Sequence, residues 1–451
     1  MADAQVRVLS TSLVQATTVT TAEQQQQQQQ QNKLSFSERI PLTPCDLRLI
    51  LIGTIQKGLL FRKPPNPQID QATFIHNLKS SFSRTLSLFY PLAGRLSADE
   101  HPDGTASVYI DCNNAGALFA HAVADGVAVA DILEPLYVPP ILWSFFALNW
   151  LRSYHGFSEP LFAVQVTELA DGIFVGCTIS HAVADGSTLW RFVNFWSQIC
   201  RSGYSDEISR SDQTFTRHWF LDEKHLPIRI PWTMIRERVF HFTREKLADL
   251  KSQAQAESST ERISSLQTLI SHIWRAVIRN RNNPDPDRET RFELAVGLRS
   301  RLEPKFPENY LGNAMVIRFV VLKERDLLLL EGEKGLGHVA AAVNRVVAGQ
   351  GEEKMMEELE AWIENPRISG LARLAKETLL LSSSPRYDVY GNDFGWGKPV
   401  AVRSGAGNKF DGKVTVFTGV EAGSMDVEIC LSPETLERLG GDQEFMAAVG
   451  V

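Results

Sequence analysis

The sequence predicts an α/β protein in two domains, and three observations carry that reading. At 451 residues the chain exceeds what one hydrophobic core serves, so two domains of about 200 residues each are expected. Short β-branched apolar runs and segments of helical period occur in both halves. A polar, irregular stretch from Gly203 to Pro231, SDEISRSDQ followed by LPIRIP, lies between them. The boundary is placed at residue 225, which gives domains 1–225 and 226–451.

Val6 to Val14 is suited to a first strand, and the low-complexity tract 22–33, with Gln24 to Gln31 unbroken, is expected to have no catalytic part. Leu49 to Leu60 reads as a buried strand that emerges at Gln56-Lys57-Gly58. Phe74, Leu78, Phe82 and Leu86 place a helix from about Ile69. Phe89 to Arg95, FYPLAGR, turns into a strand pair ending near Ile110. LYVPPILWSFFALNWL, broken by Pro139 and Pro140, reads as a loop packed on the core. Leu161 to Leu169 alternates as a strand antiparallel to Ile173–Ile179, with Asp171-Gly172 as the hairpin turn. That hairpin would set the residues after Ile179 near a sheet edge.

In the second half, Val239 to Phe242 is a strand and Thr243 caps a helix to about Ala256. Ser265 caps the next, with Leu266, Leu269, Ile270, Ile273 and Val277 on one face. Phe292 to Leu298 is a strand closed by Arg299-Ser300-Arg301. Helices are expected over 335–348, 352–364 and Ile368 to Leu381. Strands at Val414 to Gly419 and Met425 to Leu431 precede a closing helix from Pro433.

A composition of 43% hydrophobic and 22% charged residues is that of an ordinary globular protein. A net charge of -7, with no basic helix or arginine-rich run, argues against a nucleic-acid partner. No run is long enough to span a bilayer, and MADAQVRVLSTSLVQ lacks the apolar core of a signal peptide. Cys45, Cys112, Cys177, Cys200 and Cys430 are scattered without a CxxC pair and read as reduced. A cytoplasmic monomer is expected.

The chemistry concentrates in Gly172 to Cys200. An apolar run to Ile179 is followed by His181-Ala182-Val183-Ala184-Asp185-Gly186 and then by a helix with Leu189, Phe192, Val193, Trp196 and Cys200 on one side. Ser187 is positioned as the N-cap. An imidazole held between a rigid strand and a rigid helix, with little bulk around it, is placed to accept a proton from a substrate. By chance alone, HxxxD arises in about half of chains with this His content. The same six residues, HAVADG, indeed occur twice, and His121 to Gly126 is the other copy. Its flanks are those of a short strand and a small segment, so His121 reads as structural.

A second cluster is Asp393-Phe394-Gly395-Trp396-Gly397 before Lys398-Pro399, a tight turn holding an aromatic. A kinase reading of DFG fails, because no HRD loop or Gly-rich loop accompanies it in order. HxxxD after a buried strand, with DFGWG near the C-terminus, resembles the plant BAHD acyltransferases. IPLTPCDLRL, FYPLAGRL, SSLQTLISHIWRAV, GLRSRLEPKFPENYLGN and CLSPETLERL follow in the order of that family. The resemblance covers nearly the whole chain and points to the cuticle- and defence-related branch.

The resemblance implies two domains of chloramphenicol-acetyltransferase-like topology, each a mixed α+β sheet with helices, and a channel between them. It implies an acyl-CoA donor as co-substrate, no permanently bound cofactor or metal, and a small alcohol or amine acceptor. It places the catalytic position on His181, a general base worth about 10²–10⁴ in rate, without a covalent acyl-enzyme. Trp396 is then the expected oxyanion donor. Asp185 is expected in a salt bridge with Arg299, with Arg301 two residues on as the alternative partner, and Gly186, Asp393, Gly395 and Gly397 are expected to shape the site. The common YFGNC block reads Tyr310-Leu311-Gly312-Asn313-Ala314 here, which weighs against malonyl transfer. Two rivals stay open, a lyase using the same His on an acylated metabolite and a catalytically idle interaction protein. A metal hydrolase built on His181 and Asp185 lacks a third ligand nearby.

Overall fold

The computed structural model describes residues 5–17, 38–63, 70–102, 105–202, 220–222, 235–258, 260, 262–281, 285–303, 305–307, 310–328, 335–349, 352–366, 368, 377–382 and 384–450. The Gln tract and the expected boundary at 225 lie outside them.

In chain order the first strands are β1 (Arg7–Val14), β2 (Arg39–Pro41), β3 (Ile55–Arg62), β4 (Arg95–Glu100), β5 (Thr105–Asp111), β6 (Ala117–Val123), β7 (Phe162–Glu168) and β8 (Gly172–Ile179). They are followed by β9 (Phe220–Asp222), β10 (Arg236–Phe242), β11 (Glu289–Gly297), β12 (Met315–Lys323), β13 (Thr378–Ser382), β14 (Ala401–Ser404), β15 (Lys413–Thr418) and β16 (Met425–Leu431). Two six-stranded sheets result, ordered β1-β6-β7-β8-β3-β14 and β10-β16-β15-β13-β11-β12. A smaller sheet, β2-β5-β4 with β9 beside β5, flanks the first.

β8 is buried along its whole length, as its β-branched run predicts. It pairs with β7 on one side and β3 on the other, so the residue after its end does not sit at a sheet edge as the hairpin alone suggested. Gly58 and Gly176 are register partners across β3 and β8. A Cβ on Gly176 would stand 2.3 Å from the Phe145 carbonyl oxygen, so this glycine lets the Pro140–Phe145 turn lie against the sheet. The opposite face carries helices α1 (Gln71–Leu88) and α2 (Gly186–Ser202). Leu78, Phe82, Leu86, Phe192 and Trp196 are wholly buried between them and the sheet, and Trp196 Nε1 donates to the Leu78 carbonyl at 3.1 Å.

The second sheet alternates strictly. Val414 and Val416 on β15, with Val427, Ile429 and Leu431 on β16, face helices α3 (Arg244–Glu257), α4 (Ser265–Asn280) and α5 (Gly335–Ala348) across an apolar core. Ser264 rather than Ser265 caps α4, in a reciprocal box with Gln267. The intervening residues, Lys413, Thr415 and Phe417, turn toward the first sheet, and Phe417 joins that sheet's core.

Two further expectations are corrected. The run from Leu49 is not one strand: Pro44–Leu47 is a helical turn, and the strand spans Ile55–Arg62 with Gln56-Lys57-Gly58 inside it. Within the expected helix 368–381, Thr378–Ser382 is strand β13, because an apolar TLLLS fits the parallel slot between β11 and β15. β14, from the second half of the chain, pairs with β3 and extends the first sheet.

Candidate active site

His181 follows β8 in a turn whose backbone is fixed at both ends. Ser180 N–H donates to the Leu161 carbonyl at 2.8 Å, and His181 N–H donates to Ser153 Oγ at 2.8 Å. The ring is oriented from the second sheet's side of the molecule. His181 Nδ1 lies 3.2 Å from Asn313 Oδ1, and Asn313 Nδ2 donates to the His181 carbonyl at 2.7 Å. The Asn313 amide is itself held by Asp46 Oδ1, which accepts from its Nδ2 at 2.8 Å and its backbone N–H at 2.9 Å. Asp46 Oδ2 accepts from Thr43 N–H at 2.9 Å and Thr43 Oγ1 at 2.6 Å. With both Asn313 donor contacts spent on oxygens, its Oδ1 accepts, so His181 carries its proton on Nδ1 and presents a free lone pair at Nε2.

Burial holds the His181 imidazole below its ordinary value; the Asp185 charge opposes that shift and Lys413 adds to it. The ring is therefore a neutral base at pH 7. Burial likewise pushes the Asp46 carboxyl up, against the hydrogen bonds from Thr43 and Asn313.

Asp185, not Ser187, caps α2: its Oδ1 accepts from Thr188 N–H at 3.0 Å, and its carbonyl accepts from Leu189 N–H at 3.0 Å. Arg299 grips the same carboxylate with two guanidinium nitrogens, Nη2 reaching Oδ1 at 3.1 Å and Nη1 reaching Oδ2. The Ala314 N–H donates to Oδ2 at 3.2 Å, and Arg299 Nη2 also donates to the Gly312 carbonyl at 3.2 Å. Asp185 thus ties α2, Arg299 and the 312–314 turn together, and among the described residues no hydrogen bond joins its carboxylate to the imidazole. Gly186 lies against Tyr387, where a Cβ would meet the phenol oxygen at 3.0 Å. A cleft of about 410 Å³ opens on this outer side, lined by residues that include Ser187, Trp190, Arg191, Arg386 and Tyr387.

The first HAVADG copy is built differently. His121 lies inside β6, paired with Val166 of β7, and its Nε2 meets Glu168 Oε1 at 2.7 Å. Both ring and carboxylate are largely covered, so this histidine is spent on a local pair.

The structure does not bring Trp396 to His181. Its indole packs on Phe61 at 5.5 Å, Phe74 at 4.8 Å and Phe394 at 5.2 Å between ring centroids. Phe61 pairs with Ile173, at the start of β8. His181 lies beyond the far end of that strand, about 25 Å away at the strand's rise per residue. The oxyanion role expected of Trp396 is corrected to one of packing. Asp393 accepts from Gly395 N–H at 2.8 Å and Gly397 N–H at 3.0 Å, and pairs with Arg201 at 3.8 Å. Gly395 and Gly397 both have φ of +107° with open space where a Cβ would be, so conformation rather than crowding requires them. The whole loop seals the first sheet's core.

Sequence reasoning missed Asp46, Ser153 and Asn313. Asn313 and Asp46 stand in stretches already singled out, YLGNA and IPLTPCDLRL, but nothing in either marks a partner for a histidine more than a hundred residues away. Among the described residues no group of three or more His, Cys, Asp and Glu side chains is arranged to hold a metal ion.

A model of the transferase family matches residues 17–446. An uncharacterized acetyltransferase of Arabidopsis thaliana is 37% identical over 433 residues, covering 92% of this chain and 95% of that protein. The BAHD acyltransferase DCR of Arabidopsis thaliana is 30% identical over 434 residues, or 90% of this chain and 88% of its own length. Among solved structures, that of TRI101 from F. graminearum, complexed with coenzyme A and T-2 mycotoxin, matches with a TM-score of 0.74 at 18% identity. The match spans 91% of this chain and 99% of TRI101, and it shows a shared fold.

Proposed function

Because this chain belongs to the BAHD acyltransferases of the transferase family, we propose that it moves an acyl group from a coenzyme A thioester to an alcohol or amine of a small plant metabolite, with His181 as the general base. The observation that carries the assignment is the hydrogen bond between His181 Nδ1 and Asn313 Oδ1, which leaves Nε2 unprotonated. The acetyltransferase and acyltransferase relatives support the reaction class. The coenzyme A in the TRI101 complex supports a thioester as co-substrate.

His181 Nε2 takes the acceptor's O–H or N–H proton as the oxygen or nitrogen attacks the thioester carbonyl. The tetrahedral intermediate collapses with cleavage of the C–S bond, and the imidazolium returns its proton to the departing thiolate. Asp185 holds the motif's shape and stays outside proton transfer. No Cys or Ser nucleophile enters the cycle. Burial raises the thiol pKa of Cys177 to about 12, the wrong direction for a nucleophile.

Release of free coenzyme A from a panel of acyl-CoAs with plant alcohols and amines tests the reaction. Intact-mass analysis during a single turnover tests the route. Acceptor-dependent thiol release with no acylated protein is expected. An acyl-enzyme that accumulates and is then discharged by the acceptor would contradict the direct route, and no release with any donor would contradict transfer.

A further inference from the structure

Between the two sheets lies a set of amines and carboxylates that the transfer chemistry does not use. Lys409 is buried between Glu237, 2.9 Å away, and Glu428. Glu428 also accepts from Ser404 N–H at 3.1 Å, which joins β16 to β14. Lys57, on β3, donates to Ser404 Oγ at 2.9 Å and lies 4.8 Å over the Phe417 ring. Lys57 pairs with Cys177, and the next pair on that face, Ile55 with Ile179, leads to His181.

Lys413 completes the set from β15. Its Nζ stands 5.9 Å over the Phe410 ring and makes no hydrogen bond or ion pair among the described residues. Both Lys57 and Lys413 keep some accessible surface despite their position between the sheets. Burial draws the Lys57 amine down to about 7 and the Lys413 amine down to about 8. Among the described residues three amines face two carboxylates there, leaving at most one positive charge unmet, and Lys57 and Lys413 are the two without a carboxylate hydrogen bond or ion pair. An anion seated between these two amines would favour their protonated forms against the cost of burial. Lys57 and Cys177 are register partners one same-face pair before Ile55 and Ile179, so that anion would lie toward the end of β8 from which His181 follows.

We propose that Lys413, with Lys57, binds a carboxylate carried by the substrate, so that the enzyme selects an acidic acceptor or acyl group; this rests on the acyl-transfer reading of His181. A carboxylate fits better than the phosphates of coenzyme A, whose several charges exceed the single unmet one. Seated there, the carboxylate offsets the field of Lys413 on the imidazole, so the correct substrate also strengthens the base that acts on it.

The test has a binding arm and a turnover arm. In the first, thermal unfolding of the full chain is followed with acetate, succinate, glutarate, benzoate and cinnamate, each against its neutral amide, for wild type and Lys413→Met. At least one acid is expected to raise the wild-type Tm by about 2 °C or more beyond its amide, with the difference lost in Lys413→Met. The unliganded Lys413→Met chain is expected to unfold no earlier than wild type, since it loses an unpaired buried charge. In the turnover arm, hydroxy acids are compared with their methyl esters, and succinyl-CoA with butyryl-CoA, which separates an acidic acceptor from an acidic donor. Lys413→Met is expected to raise KM for the acidic partner by about tenfold or more and to leave its neutral analogue unchanged.

Equal shifts with acids and amides, equal shifts in both proteins, or a kcat loss shared by acidic and neutral substrates would overturn the proposal. A Lys413-dependent acid shift without coenzyme A release would leave the anion site standing and remove the acyl-transfer reading instead.

Discussion

Asn313 holds His181 from two directions: its Nδ2 donates to the His181 carbonyl at 2.7 Å while its Oδ1 faces the ring Nδ1 at 3.2 Å. One amide thus sets both the backbone position and the tautomer of the imidazole, and Asp46 behind it prevents the amide from flipping. Asn313 is a positioning residue by this geometry. Replacement by Ala is expected to lower kcat by about tenfold to a hundredfold, within what a general base contributes, while KM for the thioester changes little. Restoration of much of the lost rate by Gln, in variants whose circular dichroism matches wild type, distinguishes ring orientation from simple unfolding.

The pH profile follows from the direction of the His181 shift. Burial lowers the imidazole below its ordinary 6.5, so its neutral form persists into mildly acidic solution. The acid limb of kcat/KM is therefore expected to bend below pH 6.5, with full activity at pH 7. A midpoint above 6.5 in steady-state rates would contradict the assignment.

Asp185 and Arg299 are predicted to matter for folding more than for proton transfer. The carboxylate side chain is only 7% exposed and the guanidinium 24%. Removing either partner leaves a buried charge and is expected to cost about 3–5 kcal/mol in urea unfolding. The double variant Asp185→Ala, Arg299→Ala is expected to cost less than the sum of the single changes.

Trp396 gives the opposite signature from an oxyanion donor. Trp396→Phe preserves the ring contacts with Phe61, Phe74 and Phe394 and is expected to keep kcat within about twofold. Loss of an oxyanion donor would instead lower kcat by about 10²–10³. Trp396→Ala is expected to destabilise the chain by up to about 3 kcal/mol through the emptied packing site.

Much of this could be read from the chain because it is local. The buried run before His181, the helix after it, and the paired strands Lys413–Thr418 and Met425–Leu431 all follow from periodicity within a few residues. The Asp393 turn is equally local. What could not be read is tertiary. Asn313 meets His181, and Asp46 meets Asn313, only because the two halves of the chain close on each other. Thr378–Ser382 has the composition of a helix end and becomes a strand only because two neighbours flank it. Trp396 drew attention as a lone aromatic in a glycine turn, yet its partners Phe61 and Phe74 stand more than three hundred residues earlier in the chain.

The two HAVADG copies supply the most direct measurement. Coenzyme A release is compared for wild type, His181→Ala and His121→Ala, with each variant's fold verified by its unfolding transition. Loss by about 10²–10⁴ in His181→Ala alone, with His121→Ala close to wild type, is the predicted result. Wild-type rates in a folded His181→Ala chain would contradict the account.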